Sequence, residues 1–481
     1  MVTAFHEKKI TVVGLARSGV GAANLLVSLG AKVTVTDRKK PEQLDAFIKA
    51  LSPEVSLSLG NHPAELFESS DLIVISPGVS LESGPMALAR SNGVRIIGEL
   101  ELAFQALRSD GSVTVPEFLA VTGTNGKSTT TALLDAMLKS GGIGTILGGN
   151  IGNSLATEIL DLLGNSPATA AARFIVAELS SFQLETIETF RPKGSTILNI
   201  TPDHLDRYHE MDAYISAKCR VATNQIATDY LVLNADDPYT AELERIVGRQ
   251  KQGPQIFYFS RKGAVEGIYY EKGKIRFNLP QDRLRQLGPS LDSPDSAFTL
   301  DPESFAIKGV HNVENAMSAA LMAYLSGCNF EGIKDALATF PGLEHRLEFV
   351  RELNGVRYIN DSKGTNVGAV LKSLEGFTEP VILIAGGRDK DSDFSLLRQM
   401  IKEKVKRLVL VGDAAEKIGK AVCDMTECEM AGFDFSSAVA KAKEAAAPGD
   451  VVLLSPACAS FDMFRDFEDR GKQFKRMVME L

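Results

Sequence analysis

The chain has 481 residues, of which 44% are hydrophobic and 23% are charged, a balance typical of globular proteins of about two to four domains. Its formal net charge of −9 argues against non-specific binding of nucleic acid, which depends on Lys and Arg. The N-terminus lacks a signal-peptide pattern, and no apolar run reaches the length of a membrane span. The five cysteines form no C-x-x-C pair, so neither a disulfide framework nor a zinc site is predicted. Together these features predict a cytoplasmic protein without nucleic-acid or membrane partners.

The chain opens with a predicted strand–helix–strand unit. Residues 10–13 are a short apolar run, residues 14–19 (GLARSG) form a predicted tight loop, and residues 20–29 have helical periodicity. A second predicted strand ends at Asp37. Two consecutive parallel strands joined by a helix predict a nucleotide-binding α/β sheet.

The loop GLARSG approximates the dinucleotide motif G-x-G-x-x-G, but Ala16 replaces the middle glycine that normally admits a pyrophosphate. Asp37 occupies the position of a ribose-binding acid. A nicotinamide-dependent oxidoreductase is one interpretation. A sugar-nucleotide site and a purely architectural turn are two others, and the loop alone does not decide between them.

A second glycine-rich loop, TGTNGKST at 122–129, lies between a predicted strand and a predicted helix. Its backbone N–H groups and the helix N-terminus favour phosphate oxygens, and Lys127 adds a positive charge. A hydroxyl at Ser128 or Thr129 can reach Mg²⁺. Val121 replaces the first glycine of the usual phosphate-loop pattern, so the loop is a variant. We predict that it binds ATP.

Polar residues follow other predicted strands, where open α/β sheets bind ligands. Glu178 and His204 at two strand ends are candidate Mg²⁺ ligands. Lys218 lies on a predicted helix after His204, and taken alone it would be a solvated surface lysine. His311 and Asn315 begin another predicted helix, where capping is the simpler role.

The third block combines several cations with one acid. Arg346, Lys363 and Lys390 surround Asp361 in motifs at predicted strand ends, a set suited to phosphate or carboxylate oxygens. Ser460 follows the last predicted strand and is expected to open the final helix. A phenylalanine seven residues further would then lie two helical turns on, on the same face.

These elements predict an α/β protein with three consecutive nucleotide-fold (Rossmann-like) domains and mostly parallel sheets. The predicted boundaries are 1–106, 107–342 and 343–481. The segment 250–305 alternates short aromatic strands with Gly, Pro and Asp. We interpret it as a β-rich insertion in the central domain that carries little function.

Six motifs together resemble the Mur ligase family over nearly the full chain: TGTNGKST, GGNIG, ELSSFQLE, TPDHLDRY, NDSKGTN and LLSPACASFDMF. The resemblance implies an ATP-dependent amide ligase of cytoplasmic peptidoglycan precursor synthesis. Such an enzyme would use Mg²⁺ and add D-glutamate to UDP-N-acetylmuramoyl-L-alanine through an acyl phosphate. A monomer is expected.

The resemblance also implies roles for individual residues. Residues for ATP would be Gly123, Thr124, Asn125, Gly126, Lys127, Ser128, Thr129, Asn315, Arg346 and Asp361. Metal ligands would be Ser128, Thr129, Glu178, His204 and Lys218, the last as a carbamate. Catalytic residues would be Lys127, Glu178, His204, Lys218, Arg346 and Lys363.

The two remaining substrates would occupy further sets. Contacts to the UDP-sugar would come from Arg17, Ser18, Asp37, Ser76, Gly78 and Asn150. Contacts to D-glutamate would come from Lys363, Thr365, Lys390, Ser460 and Phe467. At Arg38 and Lys39 the chain departs from the family pattern, so the uracil and diphosphate contacts there are left open.

Three alternatives remain at this point. One is another Mur-type or folylpolyglutamate-type ligase with a different acceptor. The second is the nicotinamide-dependent oxidoreductase suggested by GLARSG. The third is a non-catalytic ATP-binding module, which ATP-dependent phosphate release would exclude.

Overall fold

The computed structural model describes residues 4–109, 115–164, 171–249, 252–288, 291–294 and 298–481. Within these ranges the chain forms three α/β units in succession, each around its own sheet. No helix in the described ranges combines the length and apolar composition that crossing a membrane requires.

The first unit has a five-stranded parallel sheet in the order β3-β2-β1-β4-β5. Its strands are β1 Lys9–Val13, β2 Lys32–Asp37, β3 Ser56–Leu59, β4 Leu72–Ile75 and β5 Ile96–Gly98. Its helices are α1 Arg17–Ser28, α2 Asp45–Ile48, α3 Ala64–Glu68, α4 Gly84–Ser91 and α5 Glu99–Ser109. The glycine-rich loop is shorter than predicted because α1 begins at Arg17, within the segment predicted as loop.

The second unit has nine strands in the order β14-β13-β12-β11-β10-β9-β6-β8-β7. They are β6 Glu117–Thr122, β7 Thr145–Gly149, β8 Phe174–Glu178, β9 Gly194–Ile197, β10 Tyr230–Asn234, β11 Gln255–Ser260, β12 Gly267–Glu271, β13 Lys274–Asn278 and β14 Thr299–Leu300. The helices are α6 Lys127–Ser140, α7 Leu155–Leu163, α8 Ser181–Leu184, α9 Leu205–Tyr208, α10 Met211–Cys219, α11 Thr240–Val247, α12 Gln281–Leu287, α13 Val310–Leu325 and α14 Phe330–Thr339. The predicted insertion supplies β11 to β14, and β12 to β14 pair antiparallel. It also contains α12, which the β-rich interpretation missed. Residues 250, 251, 289, 290 and 295–297 of this segment lie outside the described residues.

The third unit has six strands in the order β15-β16-β20-β17-β18-β19, and only β15 is antiparallel to its neighbour. They are β15 Glu348–Leu353, β16 Val356–Asn360, β17 Val381–Gly386, β18 Val405–Val411, β19 Glu427–Met430 and β20 Val451–Leu454. The helices are α15 Val367–Glu375, α16 Arg398–Lys404, α17 Ala415–Val422, α18 Phe435–Ala445 and α19 Phe467–Glu480. An apolar cluster fills each face of this sheet.

The first and second units share one continuous apolar core. The predicted boundary at residue 106 falls inside α5, whose Phe104 ring lies 5.5 Å from Phe190 and 5.9 Å from Phe118 (centroid distances). On the same helix, buried Glu101 accepts backbone N–H bonds from residues 188–190 at 2.9–3.0 Å. Apolar contacts and a fully hydrogen-bonded carboxylate therefore join the two units.

Two predictions in the third unit are wrong. Ser460 does not open the last helix, because α19 begins at Phe467 with Asp466 as its N-cap. The intervening residues form a turn after Ala459, which pairs with Arg388 as an isolated bridge. Cys423 and Cys428 form a disulfide, with Cα atoms 5.7 Å apart. The turn between α17 and β19 brings them together, and a search for C-x-x-C spacing does not detect a separation of five residues.

Candidate functional site

A cavity of about 520 Å³ lies where the second and third units meet. Asn150, predicted to contact the UDP-sugar, lines this cavity. So do most of the predicted ATP, metal and acceptor residues: Thr124, Asn125, Gly126, Lys127, Ser128, Glu178, His204, Asn315, Arg346, Asp361, Lys363, Thr365, Lys390 and Phe467. Several strand ends from two sheets thus contribute to one chamber, as expected for open α/β sheets.

The phosphate loop connects β6 to α6. Gly126 is the N-cap of α6 and adopts a left-handed conformation with φ of +87°. A Cβ at this position would lie 2.3 Å from Asn315 Oδ1, so the loop requires glycine there for both backbone and packing reasons. Lys127 Nζ donates to the carbonyls of Gly123 (3.0 Å) and Thr124 (2.7 Å). Burial lowers the pKa of Lys127.

Glu178 is the last residue of β8, and only 1% of it is exposed. Its Oε1 accepts a hydrogen bond from Asn150 Nδ2 (2.8 Å), whereas Oε2 is buried without a hydrogen-bond partner among the described residues. Burial raises the pKa of Glu178, but the charges of Lys363 and Lys127, together with side-chain hydrogen bonds, outweigh burial and keep the pKa below its ordinary value. An ionised carboxylate with a free buried oxygen fits a cation.

The donor set also bears on the kind of metal. In the described part of the chain no three His, Cys, Asp or Glu side chains gather as a metal cage. Mg²⁺ is commonly held by one or two carboxylates together with substrate phosphates and water. Glu178 beside the phosphate loop therefore fits Mg²⁺ better than a metal that needs an all-protein site.

His204 is the N-cap of α9 and has a φ of +56°. Its ring packs 4.7 Å from the ring of Phe182, and burial lowers its pKa to about 4. The neutral imidazole can serve as a ligand.

The neighbouring Asp203 also lines the cavity and was not selected from the sequence. It accepts a hydrogen bond from Asn366 Nδ2 of the third unit (3.1 Å) and lies 3.9 Å from Lys390 Nζ. Asp203 directly precedes His204 at the same edge of the sheet, and this position could have identified it from the sequence.

Lys218 lies in α10 and is 1% exposed, which excludes its interpretation as a solvated surface residue. Its Nζ donates to Gly123 O (2.8 Å) and lies 4.6 Å from the centre of the Tyr214 ring. Burial, followed by the charge of Lys127, lowers the pKa of Lys218 well below its ordinary value. The buried amine therefore contacts the phosphate loop through the carbonyl of Gly123.

The third unit brings cations to the loop of the second. Lys363 Nζ donates to Ser128 Oγ (2.6 Å) and lies 5.2 Å from the centre of the Phe467 ring.

Arg346 lies in the segment that joins the two units. The residues on either side of it, His345 (φ +64°) and Leu347 (φ +44°), are both left-handed, a conformation that costs energy for residues other than glycine. The backbone thus holds Arg346 toward the cavity at an energetic cost.

Asn315 and Asp361, which were predicted to contact ATP, also line the cavity. Asn315 donates to Asn312 Oδ1 (3.2 Å). Asp361 is buried, and its Oδ2 accepts hydrogen bonds from the hydroxyls of Ser373 and Ser455 (both 2.7 Å). Burial raises the pKa of Asp361. The predicted nucleotide contacts of these two residues stay predictions.

Arg261 and Lys262, in the loop after β11, also line the cavity. Arg261 Nε donates to Glu314 Oε1 (2.8 Å). The expectation that the 250–305 segment carries little function stays a prediction, although this loop reaches the cavity. No local pattern indicated the loop, because a distant helix, α13, supplies the partner of Arg261.

The remaining predicted residues do not line the cavity: Arg17, Ser18, Asp37, Ser76, Gly78, Gly123, Thr129, Lys218 and Ser460. Asp37 Oδ2 accepts the Leu15 N–H (2.7 Å), and Ser76 Oγ donates to Gly14 O (3.0 Å). These two side chains hold the first glycine-rich loop in place. The predicted UDP-sugar contacts of the first unit stay predictions.

Comparison with known proteins assigns the class. Family models match the chain as a Mur ligase MurD-like N-terminal domain (residues 8–98), a Mur ligase middle domain (121–323) and a Mur ligase glutamate ligase domain (345–458). The chain belongs to the Mur ligase family, as the sequence motifs indicated.

Within that family the chain is similar to proteins named UDP-N-acetylmuramoylalanine–D-glutamate ligase. The one from Geotalea daltonii is 43% identical over 476 residues, covering 98% of each chain. The one from Pelotomaculum thermopropionicum is 43% identical over 483 residues, covering 100% of this chain and 99% of the relative.

Solved structures agree on the fold. The UDP-N-acetylmuramate–alanine ligase of Thermotoga maritima matches with a TM-score of 0.60 at 19% identity, over 98% of this chain and 100% of that one. The pseudomurein peptide ligase type C of Methanothermus fervidus matches with a TM-score of 0.58, also at 19% identity and with the same coverage of both chains. The predicted α/β fold class with mostly parallel sheets is confirmed.

Proposed function

We propose that this chain is an ATP-dependent ligase that joins D-glutamate to UDP-N-acetylmuramoyl-L-alanine, in the cytoplasm and as a monomer. The observation that carries the proposal is the convergence of Lys127 and Lys363 on a buried carboxylate, Glu178, in one cavity that Arg346 also lines. This arrangement suits phosphoryl transfer. The names of the full-length relatives supply the substrates.

The reaction needs an activated carboxyl group, because the carboxylate of the L-alanine residue would have to expel oxide. Transfer of the γ-phosphoryl group from ATP gives an acyl phosphate and ADP. Attack by the neutral amine of D-glutamate gives a tetrahedral intermediate, which expels phosphate and leaves the amide. Lys127 and Arg346 lower the barrier by neutralising charge on the transferring phosphoryl group.

Glu178 and His204, with Ser128 at the phosphate loop, would hold Mg²⁺, which when bound would neutralise further phosphate charge. The acyl phosphate must be protected from water. The third unit meets the second across the cavity, with Lys363 at Ser128 and Asn366 at Asp203, and this contact limits access of bulk solvent to the reacting groups. Lys390 and Lys363 are the candidate partners for the two carboxylates of the amino acid.

Phosphate release from ATP tests the proposal directly. Purified protein with Mg²⁺, ATP and UDP-N-acetylmuramoyl-L-alanine should release phosphate when D-glutamate is added, and much less with L-glutamate, L-lysine or D-alanine. Preference for another amino acid would point to a different Mur-type or folylpolyglutamate-type ligase. A change in nicotinamide absorbance without phosphate release would point to an oxidoreductase.

We also propose that Lys218 carries a carbamate in the active protein. Carbamate formation from CO₂ requires the neutral amine and releases one proton, and the lowered pKa of this buried amine favours it. The product would be an anion close to the phosphate loop. Lys218→Ala should be nearly inactive, and a short carboxylic acid added in solution should restore part of the activity. Full activity of Lys218→Ala would refute the proposal.

A further inference from the structure

Arg470 is among the most deeply buried side chains of the third unit. It lies in the first turn of α19 with 2% of its surface exposed. No carboxylate of the described residues lies within ion-pair distance of its guanidinium, whose hydrogen bonds go to carbonyl and hydroxyl oxygens. Burial lowers its pKa to about 10. The charges of Asp462 and Asp361 raise its pKa in part, but neither carboxylate pairs with it directly. A buried cation without a paired acid is costly, so its retention needs a reason.

The acceptors of these hydrogen bonds suggest a reason for retaining Arg470. Nη2 donates to the carbonyl of Ser362 (2.8 Å) and Nε to its hydroxyl (3.0 Å). Nη1 donates to the carbonyls of Cys458 (3.2 Å) and Ala459 (3.4 Å). The carbonyl of Ser362 belongs to the peptide bond that leads into Lys363, and the carbonyl of Ala459 to the one that leads into Ser460. One guanidinium therefore joins the two segments that carry these residues.

Two further segments are attached to the same point. Ser362 Oγ donates to Phe467 O (2.8 Å), which fixes the start of α19. The backbones of Ala459 and Arg388 exchange two hydrogen bonds of 2.9 and 3.0 Å, two residues before Lys390. A Cβ on Gly387 would lie 2.3 Å from Ala459 O and 3.3 Å from Arg470 Nη1, so the segments pack tightly.

We propose that Arg470 is the positioning residue of the acceptor amino-acid site, and that its positive charge, which no carboxylate of the described residues pairs directly, favours a dicarboxylate acceptor. The proposal rests on the function proposed above. The planar fork of the guanidinium sets the spacing of the segments that carry Lys363, Lys390 and Ser460, which come from different strand ends. A dicarboxylate in front of these segments adds negative charge on the side of the buried cation.

Two substitutions test this role. Arg470→Lys keeps the charge but loses the fork, and should raise the KM for D-glutamate about tenfold. Arg470→Met also removes the charge and should raise it about a hundredfold. In both variants the KM for ATP and for the UDP-sugar substrate should stay within about threefold of wild type.

Arg351 supplies a matched control. Its guanidinium also donates to main-chain carbonyls of α19, those of Val478 (3.2 Å) and Met479 (3.0 Å), at the other end of the helix. Arg351→Met should lower Tm without changing any KM. If Arg470 were purely structural, its variants would also lower Tm without changing any KM. A wild-type KM for D-glutamate in Arg470→Lys would overturn the proposal, even if Arg470→Met failed to fold. Absence of D-glutamate-dependent turnover in the wild type would instead refute the proposed function.

Discussion

The second unit has two junctions of opposite character. Its junction with the first unit is an apolar core that includes Phe104 and Phe190, with buried Glu101 fully hydrogen-bonded. Its junction with the third unit consists of polar contacts around a cavity, among them Lys363 to Ser128 and Asn366 to Asp203.

This difference predicts that the first junction mainly determines stability and that the second mainly determines activity. Apolar burial is worth a few kcal/mol for each large side chain, so the first junction should hold two units as one body. Polar contacts between partly buried groups contribute much less to stability, so the second junction should separate more readily than the first. Substitutions at the first should therefore change Tm, and substitutions at the second should change kinetic constants.

The largest expected effect is on stability at the apolar junction. Phe104→Ala should cost about 3–5 kcal/mol of unfolding free energy, because it removes a buried ring and leaves a cavity. Denaturant or thermal unfolding would measure the loss. The KM values of the protein that remains folded should match wild type, and a large rise in KM for ATP with unchanged Tm would break the comparison.

Next comes Lys127→Ala at the phosphate loop. Loss of a cation that stabilises the transferring phosphoryl group should cost about 2.7–4 kcal/mol of barrier, or roughly a hundred- to a thousandfold in kcat. The Tm should change little, since the amine contacts only carbonyls of its own loop. Near-normal ATP turnover would contradict the phosphate-loop assignment.

A smaller kinetic effect is expected from Asn366→Ala, which removes the contacts to Asp203 and Asn125 across the polar junction. The same change removes the N-cap of α15 and should also lower Tm. Loss of one such hydrogen bond should cost about 1 kcal/mol, or roughly fivefold in kcat/KM for D-glutamate. Steady-state kinetics with each substrate varied in turn would measure it. Asn92→Ala, on the exposed face of the first unit, is the control and should leave all constants unchanged.

The smallest expected effect is a pH-dependent change in Tm that arises at the apolar junction. Glu99 accepts a hydrogen bond from Ala156 N (2.6 Å), and burial raises its pKa to about 7. Between its unfolded pKa of 4.5 and its folded pKa of about 7 the native state binds the extra proton, so stability falls as pH rises through this window. Relative to wild type, the Tm of Glu99→Gln should therefore rise by about 1–2 °C from pH 5 to pH 8.

Glu101→Gln is the matched control for that experiment. Burial raises the pKa of Glu101, but the hydrogen bonds from Thr189 and its neighbours outweigh burial and lower it. The stability that this carboxylate adds is present above its unfolded pKa and lost as pH falls. Because this window lies below the ordinary pKa of 4.5, Glu101→Gln should lose more stability at pH 5 than at pH 3 and show almost no trend between pH 5 and pH 8, unlike Glu99→Gln. Parallel trends for the two variants would contradict these assignments.

Sequence reasoning succeeded where a site is encoded locally. The loop 122–129 contains the glycines, the cation and the hydroxyls in one stretch between a strand and a helix, so the cavity wall around Lys127 could be predicted. Glu178 was found because the end of a parallel strand limits where a side chain can lie.

Other features depend on distant partners and left no local pattern. Arg261 reaches the cavity through a contact with Glu314 on another element. Ser460 was placed on a helix because apolar spacing alone does not show the bridge between Ala459 and Arg388 that turns the chain there. The cysteine pair was missed because a turn, rather than a motif spacing, brings its members together.

The position of Arg346 has a consequence for the order of events. This residue lies in the segment that joins the second and third units, between two left-handed residues. Lys363 and Lys390 belong to the third unit. Any rotation of that unit about the connecting segment moves these two cations together relative to the phosphate loop, with Arg346 at the pivot. On the proposed function, the cations of the third unit and the groups that face the incoming amino acid therefore reach the phosphate loop in the same motion, so ATP bound while the units are apart meets Lys127 without them.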